Sequence, residues 1–320
     1  MNILVTGGLG LIGHNVVKRL QAQGHIVSII DTKTNYGIIP QEQIDHLIKE
    51  RTKDLDLSGL YIKDISDANE MDYIFNIEQP EIVIHLASFP RQKVVNANPA
   101  AGSRVMSEGL INLLEMSDRY EVRKFVYASS SMVYGDFKDD VKEDAICRPQ
   151  GQYGILKLAG EWLIKDYARR TGLSYTIIRP SAVYGPLDVE DRVISKFILN
   201  AMRDIPLKVN GASETLDFTY VDDAADGIVA ASLSDNTDNK TYNITKSHSH
   251  SLLDAAKLAV KVAGKGEIIV GEKDADFPSR GALNIDAARA DFGFDPKIDV
   301  DRGFEIYYNW LKDDPYFNNR

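Results

Sequence analysis

The sequence predicts a doubly wound α/β fold, in which helices cover both faces of a parallel sheet, with a smaller α/β lobe toward the C-terminus. Short runs of β-branched residues alternate with longer helical patterns through the first 180 residues, which is the rhythm of strand–helix–strand units. Several of the runs are apolar throughout, as expected of strands that are buried on both faces. After residue 180 strand and helix patterns alternate less regularly. No linker rich in Pro, Gly or Ser separates the remainder of the chain from the first part.

The elements of the first part follow from these runs in chain order. We expect strands at 3–6, 26–31, 60–62, 82–86, 125–129 and 176–179. We expect helices between them at 12–23, 69–79, 99–119 and 153–171. Gly24 and Gly172 stand where two of these helices would end, because glycine accepts the left-handed conformation of a helix C-terminus. The segment 34–59 interrupts the rhythm, and 41–51 is predicted to form an added surface helix.

The second part gives weaker patterns. Helices are predicted at 193–202, 223–232, 252–263, 286–292 and 300–312, and strands at 207–209, 217–221 and 268–270. The strand–helix unit at 217–232 could pack back onto the main sheet although it follows the start of the lobe in sequence. We therefore expect one domain at 1–180, joined by 217–244, and a lobe formed by 181–216 and 245–320.

Composition excludes several functional classes. The 320 residues are 44% hydrophobic and 26% charged, with a formal net charge of −10. An acidic chain lacks the basic surface that nucleic acids and anionic membranes require, so neither is an expected partner. Cys147 is the single cysteine, which excludes an internal disulfide and favours the cytoplasm. No apolar run approaches the ~18 residues of a membrane-spanning helix, and the first residues do not form a signal peptide.

A glycine-rich turn follows the first strand and opens a helix. It contains G-x-G-x-x-G at Gly8, Gly10 and Gly13, and Gly7 extends the pattern. Glycines allow a tight turn and a close approach of backbone amides to a pyrophosphate at the helix N-terminus. Asp31 ends the second strand, at the place where an acid accepts a hydrogen bond from an adenosine ribose. The sequence therefore predicts a Rossmann-type sheet that binds NAD in preference to NADP.

A second constellation lies where the fifth strand ends. Ser129, Ser130 and Ser131 follow that strand, and Tyr153 and Lys157 lie four residues apart in the next predicted helix. Residues at that spacing share one helix face. A neighbouring ammonium and a nicotinamide cation would favour the tyrosinate, so that the tyrosine could act as a base near neutral pH. One serine hydroxyl could then hydrogen-bond the reacting oxygen.

Taken together, these motifs resemble the extended short-chain dehydrogenase/reductases, in particular the branch of nucleotide-sugar epimerases and dehydratases. The resemblance covers nearly the whole chain and includes H-L-A at 85–87, V-Y-G-P at 183–186 and D-F-T-Y-V-D-D at 217–223. It implies that Ser130, Tyr153 and Lys157 are the catalytic residues. It also implies an NAD site formed by Gly7, Gly10, Leu11, Ile12, Gly13, Asp31, Asp64, Ile65, Leu86, Ala87, Ser88, Tyr153 and Lys157.

The residues after the catalytic serine favour one reaction. Family dehydratases carry an Asp–Glu pair there, whereas this chain has Ser131 and Met132, and a thioether transfers no proton. We therefore expect an epimerase of a nucleotide sugar, acting at C4 through a transient 4-keto intermediate. An NAD-dependent dehydrogenase or reductase of another polar substrate, or a nucleotide-sugar dehydratase, remains as an alternative.

Two departures concern the substrate. The family's Asn before V-Y-G-P is Ala182, and the Arg that grips the substrate diphosphate is Leu216. Arg192 and Arg280 are candidate replacements, Arg91 could contact an anionic group of the substrate, and Ser131 is a further candidate contact. No metal site is expected, since His248 and His250 have no recognisable partner ligands. The resemblance also implies a homodimer formed by the helices 99–119 and 153–171.

Overall fold

A seven-stranded parallel sheet forms the centre of the protein in the computed structural model, which describes residues 1–274 and 278–318. The strands of the protein are β1 (Asn2–Thr6), β2 (Ile26–Asp31), β3 (Leu60–Ile62), β4 (Ile82–His85), β5 (Lys124–Ala128), β6 (Ser174–Pro180), β7 (Val183–Tyr184), β8 (Leu207–Asn210), β9 (Thr215–Asp217), β10 (Thr219–Tyr220), β11 (Lys240–Ile244), β12 (Ser249–Ser251) and β13 (Ile268–Gly271). The strand order of the central sheet is β11-β6-β5-β4-β1-β2-β3, the order of a doubly wound dinucleotide-binding sheet with one further strand at the edge. The prediction of an α/β fold is thus confirmed.

Helices cover both faces of this sheet and form much of the C-terminal lobe. The α-helices are α1 (Leu11–Ala22), α2 (Gln41–Thr52), α3 (Ala68–Glu78), α4 (Gln92–Ala97), α5 (Pro99–Ser103), α6 (Gly109–Arg119), α7 (Gly151–Thr171), α8 (Val193–Met202), α9 (Val221–Leu233), α10 (Leu252–Ala263), α11 (Asp286–Phe292), α12 (Val300–Asp313) and α13 (Pro315–Asn318). A π-helical segment, Arg104–Glu108, joins α5 to α6, and two 3-10 turns lie at Ser131–Tyr134 and Asp235–Thr237. None of the helices in the described residues is long and apolar enough to span a membrane.

The central strands are buried on both faces, as their apolar runs predict. On one face, Val16, Val17 and Leu20 of α1 pack against β1 and β2. On the other face, Ile74 and Phe75 of α3 pack with the residues of α6 and α7. Because the strands are parallel, their carboxyl ends lie at one edge of the sheet, where the loops that follow them are brought together.

Several elements differ from the sequence-based predictions. The edge strand β11 was not predicted, because its short run K-T-Y-N-I is mostly polar, unlike the apolar runs of the other sheet strands; it pairs with β6 at the edge of the sheet. The predicted strand 217–221 is two short strands, β9 and β10, and α9 already begins at Val221. The predicted helix 99–119 contains the π-helical segment, which leaves α5 and α6 as separate α-helices.

The inserted helix α2 lies where the interruption at 34–59 predicted a helix, but it is not purely a surface helix. Gln43, Leu47 and Arg51 recur every four residues and are buried. That spacing places them on one face of the helix, and Leu47 packs into the core of the C-terminal lobe. The insertion therefore links the nucleotide-binding part of the chain to the lobe.

The C-terminal lobe has its own hydrophobic core. Phe197 and Ile198 of α8, Ala256 of α10 and Phe304 of α12 pack around β8. The strand pairs β8–β13 and β9–β12 lie outside the main sheet. The proposed boundaries of the two domains, 1–180 with 217–244 and 181–216 with 245–320, remain a prediction.

Candidate active site

The turn between β1 and α1 is built so that backbone can approach a ligand. Gly7 has a φ of +72°, and a Cβ added there would lie 2.7 Å from the amide nitrogen of Ala87. A Cβ on Gly13 would lie 2.1 Å from the carbonyl oxygen of Gly7. Gly10 begins the helix without a side-chain cap, so the first amides of α1 are left for an anionic ligand.

Asp31 is fixed at the end of β2, beside this turn. Its Oδ2 accepts a hydrogen bond from the amide of Leu9 at 3.0 Å, and its Oδ1 accepts one from the amide of Lys33 at 2.8 Å. The carboxylate thus stands at the rim of a cleft of about 490 Å³ that runs along the carboxyl edge of the sheet. A hydroxyl can donate to such a group, whereas a phosphate is repelled by it.

Every residue predicted to bind the cofactor lines this cleft. The structure brings together Gly7, Gly10, Leu11, Ile12, Gly13, Asp31, Asp64, Ile65, Leu86, Ala87, Ser88, Tyr153 and Lys157. The glycine cradle, the uncapped helix and the carboxylate at the strand end fit a dinucleotide whose adenosine ribose carries a free 2′-hydroxyl. The individual contacts of these residues with the cofactor stay a prediction.

Arg51 is a cleft residue that the sequence reasoning missed. It comes from the inserted helix α2, and its Nη1 donates to the carbonyl oxygen of Leu9 at 3.1 Å. Its Nη2 donates to the carbonyl oxygen of Leu187 at 2.6 Å. The side chain therefore joins the glycine-rich turn to the segment that enters the C-terminal lobe. The spacing of the apolar residues Ile44, Leu47 and Ile48 was the signal that this helix has a buried face, but it does not indicate that Arg51 shares it.

The three consecutive serines have different partners. Ser129 donates to Oε1 of Glu161 at 2.5 Å, and Ser131 donates to the hydroxyl of Ser181 at 3.2 Å. Ser130 accepts from the amide of Met132 at 3.2 Å, and its nearby hydroxyl acts to lower the pKa of the Tyr153 phenol. Ser130 is thus the serine of this run whose hydroxyl lies near the tyrosine, at the position predicted for the catalytic hydroxyl.

Lys157 lies beneath Tyr153 on the same face of α7. Its Nζ donates to the carbonyl oxygen of Ala128 at 2.6 Å and lies 5.9 Å from the centre of the Tyr153 ring. Burial lowers the pKa of Lys157 to about 7, and the carboxylate of Glu161 opposes this change. Glu161 itself is held by a buried ion pair with Arg179.

Burial also raises the pKa of Tyr153, which disfavours the tyrosinate that the sequence analysis expects. The nearby hydroxyl of Ser130 opposes the rise, and so do the positive charges of Arg192 and Arg280. The charges that favour tyrosinate in the structure thus come from the two arginines. The sequence reasoning named the ammonium of Lys157 together with a nicotinamide cation for this role, and that assignment stays a prediction.

A second cavity, of about 820 Å³, adjoins the cofactor cleft. Tyr153, Arg91, Arg192 and Asp188 line both spaces, so the tyrosine stands at the wall between them. Ser130, Ser131 and Arg280 line the second cavity, as do Ala182 and Leu216, which depart from the family pattern. All four predicted substrate contacts therefore face the same space. Their roles stay predictions.

Arg280 has an unusual environment in this cavity. Its Nε is buried and has no hydrogen-bond partner in the part of the chain that the structure describes. Burial and the nearby charge of Arg192 lower the pKa of Arg280 to about 10. A buried donor without a partner is unfavourable, and an anionic ligand would supply the missing acceptor.

Comparisons with known proteins agree with this geometry. The family model "NAD dependent epimerase/dehydratase family" matches residues 3–245. A putative UDP-glucose 4-epimerase of Methanocaldococcus jannaschii is 31% identical over 99% of this chain and 99% of its own length. The solved UDP-glucuronic acid 4-epimerase of Bacillus cereus, in complex with UDP-glucuronic acid and NAD, has a TM-score of 0.90 at 27% identity, covering 98% of this chain and 99% of that one. The UDP-glucose 4-epimerase of Thermotoga maritima with UDP-glucose has a TM-score of 0.88 at 28% identity, with the same coverage.

Proposed function

We propose, from the premise that the chain belongs to the NAD-dependent epimerase/dehydratase family, that it inverts C4 of a nucleotide sugar through a transient 4-keto sugar. The family and the epimerase relatives make the protein an NAD-dependent nucleotide-sugar epimerase. The carbon atom and the substrate are our proposal. The observation that supports it best is the position of Tyr153 at the wall between the cofactor cleft and the second cavity, with Ser130 beside it in the second cavity.

The chain's own residues supply the proton chemistry. The Tyr153 oxygen takes the proton of the sugar 4-hydroxyl, and Ser130 donates a hydrogen bond to the same sugar oxygen. NAD held in the cofactor cleft would supply the acceptor and donor of the C4 hydride and, when oxidised, a positive charge beside the tyrosine. Arg192 and Arg280 add to that charge and help to stabilise the tyrosinate. Tyr153 then gives the proton back to the new hydroxyl.

Epimerisation further requires that the keto sugar turn over without leaving. The cavity of about 820 Å³ gives room for this movement, and the nucleotide end must stay anchored. We propose that Arg280 holds the substrate diphosphate in place of the family's arginine, which is Leu216 here. Its buried, unpartnered Nε is the observation that favours Arg280 over Arg192 for this contact.

The test uses NAD-loaded protein with UDP-glucose and with UDP-glucuronic acid, in D₂O, analysed by NMR and mass spectrometry. We expect the C4 epimer of one of them, with no deuterium at C4, because the hydride returns from the cofactor rather than from solvent. Tyr153→Phe should retain NAD and lose turnover by orders of magnitude. Net accumulation of NADH with an oxidised product would identify a dehydrogenase, and loss of water from the sugar would identify a dehydratase.

A binding measurement tests the diphosphate contact separately. Loss of a charged hydrogen bond is worth ~1.5–3 kcal/mol, or roughly ten- to 150-fold in affinity. Arg280→Met should weaken UDP binding by that factor, as measured by calorimetry. Unchanged UDP binding would refute the role of Arg280 alone, whereas no UDP binding to the wild type at millimolar concentration would refute the nucleotide-sugar assignment.

A further inference from the structure

Two arginines, Arg91 and Arg192, lie beside the reacting tyrosine but are not needed to hold the diphosphate if Arg280 does so. We propose that they form a site for a negatively charged group on the sugar itself, so that the substrate is a nucleotide sugar with a carboxylate on its sugar ring. This inference rests on the proposed function and narrows its substrate class.

The position of the two arginines supports a contact with the sugar. Both line the cofactor cleft and the second cavity, as Tyr153 does, whereas Arg280 lines the second cavity alone. In the proposed reaction the sugar must lie at the wall between the two spaces, because its C4 must reach both the tyrosine and the cofactor. Side chains on that wall are therefore neighbours of the sugar ring.

Each of these two arginine side chains lies near one carboxylate and still has N–H groups that can donate to a ligand. Nη1 of Arg91 lies 2.8 Å from Oδ2 of Asp191. Nε of Arg192 lies 3.7 Å from Oδ2 of Asp188, which is too far for a hydrogen bond. Oδ2 of Asp188 is buried without a hydrogen-bond partner. A guanidinium has five N–H donors in a planar fork, so each side chain can still bind a carboxylate.

The described residues that line the cavity carry more positive than negative side chains. Among the described residues, seven Lys or Arg side chains and four Asp or Glu side chains line it, although the whole chain carries a net charge of −10. A diphosphate brings about two negative charges. A carboxylate on the sugar would add a negative charge opposite this predominantly positive lining, whereas a neutral sugar would not.

The arginines also repel one another. Burial lowers the pKa of Arg91 and the charge of Arg192 adds to that effect, while the carboxylates of Asp191 and Asp188 oppose it in part. Arg192 lowers the pKa of Arg280 in the same way. Positive groups gathered in a partly desolvated space are stabilised by an anion that binds between them. A sugar hydroxyl gives no such compensation.

The experiment measures the affinity of NAD-loaded protein for UDP, UDP-glucose and UDP-glucuronic acid at constant ionic strength. We expect UDP-glucuronic acid to bind at least tenfold more tightly than UDP-glucose. Arg91→Gln and Arg192→Gln should each reduce that ratio and leave the affinity for UDP within about twofold. Lys208→Gln removes one positive charge from the same cavity outside the cofactor cleft, and as the matched control it should leave the ratio unchanged.

The outcomes separate this inference from the proposed function. If the wild type binds the two sugar nucleotides equally, or if the arginine variants weaken all three ligands by one common factor, the acidic-sugar site is refuted while the epimerase proposal stands. If Arg91→Gln lowers NAD retention and leaves the ratio unchanged, Arg91 belongs to the cofactor site and the inference is wrong. If UDP itself does not bind, both proposals fail.

Discussion

Replacing Lys157 by methionine should stabilise the cofactor-free protein, and the gain should depend on pH. The lysine is buried, with 3% of its surface exposed, and burial lowers its pKa from 10.5 to about 7. The unfolded chain therefore binds more protons than the folded chain between these two values. The wild type thus gains stability as the pH rises through that window, and the full penalty of the buried charge is present below about pH 7.

The magnitude follows from the shift. One pKa unit corresponds to about 1.4 kcal/mol, so a fall from 10.5 to about 7 corresponds to about 5 kcal/mol. Methionine leaves the carbonyl oxygen of Ala128 without its hydrogen bond, a loss of about 1–3 kcal/mol. The variant should therefore be more stable than the wild type by roughly 2–4 kcal/mol near neutral pH. This advantage should disappear as the pH approaches 10.5.

Denaturant unfolding of NAD-free protein at a series of pH values between about 6 and 10 measures this difference. Lys165→Met is the matched control, since Lys165 is a partly exposed lysine of the same helix. The control should show a small difference from the wild type with little dependence on pH. If the difference between Lys157→Met and the wild type were the same at every pH, the buried ammonium would carry no penalty and the reasoning would be refuted.

Three further predictions concern the cofactor, the catalytic hydroxyl and the assembly. The wild type should bind NAD more tightly than NADP, and Asp31→Ala should reduce that preference, as measured by titration with both cofactors; equal affinities in the wild type would contradict the role of the carboxylate. Ser130→Ala should lower kcat by about 10²–10³, whereas Ser131→Ala should lower it less, and the reverse order would reassign the hydroxyl. The protein should be a homodimer by light scattering at micromolar concentration, and Trp162→Glu should yield monomers, because Trp162 is 65% exposed on α7; a monomeric wild type would refute the interface.

The sequence was most informative where chemistry requires a particular residue at a particular spacing. The glycine-rich turn after β1 and the acid that ends β2 follow from backbone geometry and charge. The pair of Tyr153 and Lys157 follows from the helix period. Each of these features is set by residues within one short segment, so its position could be predicted from the chain alone.

Features that depend on distant contacts could not be predicted. Strand β11 has a polar sequence and becomes a strand because its backbone pairs with β6. The orientation of the three serines depends on Glu161, Ser181 and Tyr153, which lie on other elements. The apolar pattern of the predicted helix 99–119 also does not show which of its residues face the chain's own core, where Leu114 is wholly buried.

The hydrogen bonds that Arg51 makes between the glycine-rich turn and the lobe have a consequence for how often the cofactor can be exchanged. One side chain holds both the carbonyl oxygen of Leu9 in the glycine-rich turn and that of Leu187 at the entrance to the lobe, so parting the lobe from the turn requires breaking buried hydrogen bonds. An enzyme that exchanged its dinucleotide after every cycle would be slowed if these hydrogen bonds had to break each time. An epimerase returns its hydride and ends each cycle with the cofactor unchanged, so the same molecule can remain in place for many turnovers. The inserted helix thus suits a resident cofactor that behaves as a permanent part of the catalyst.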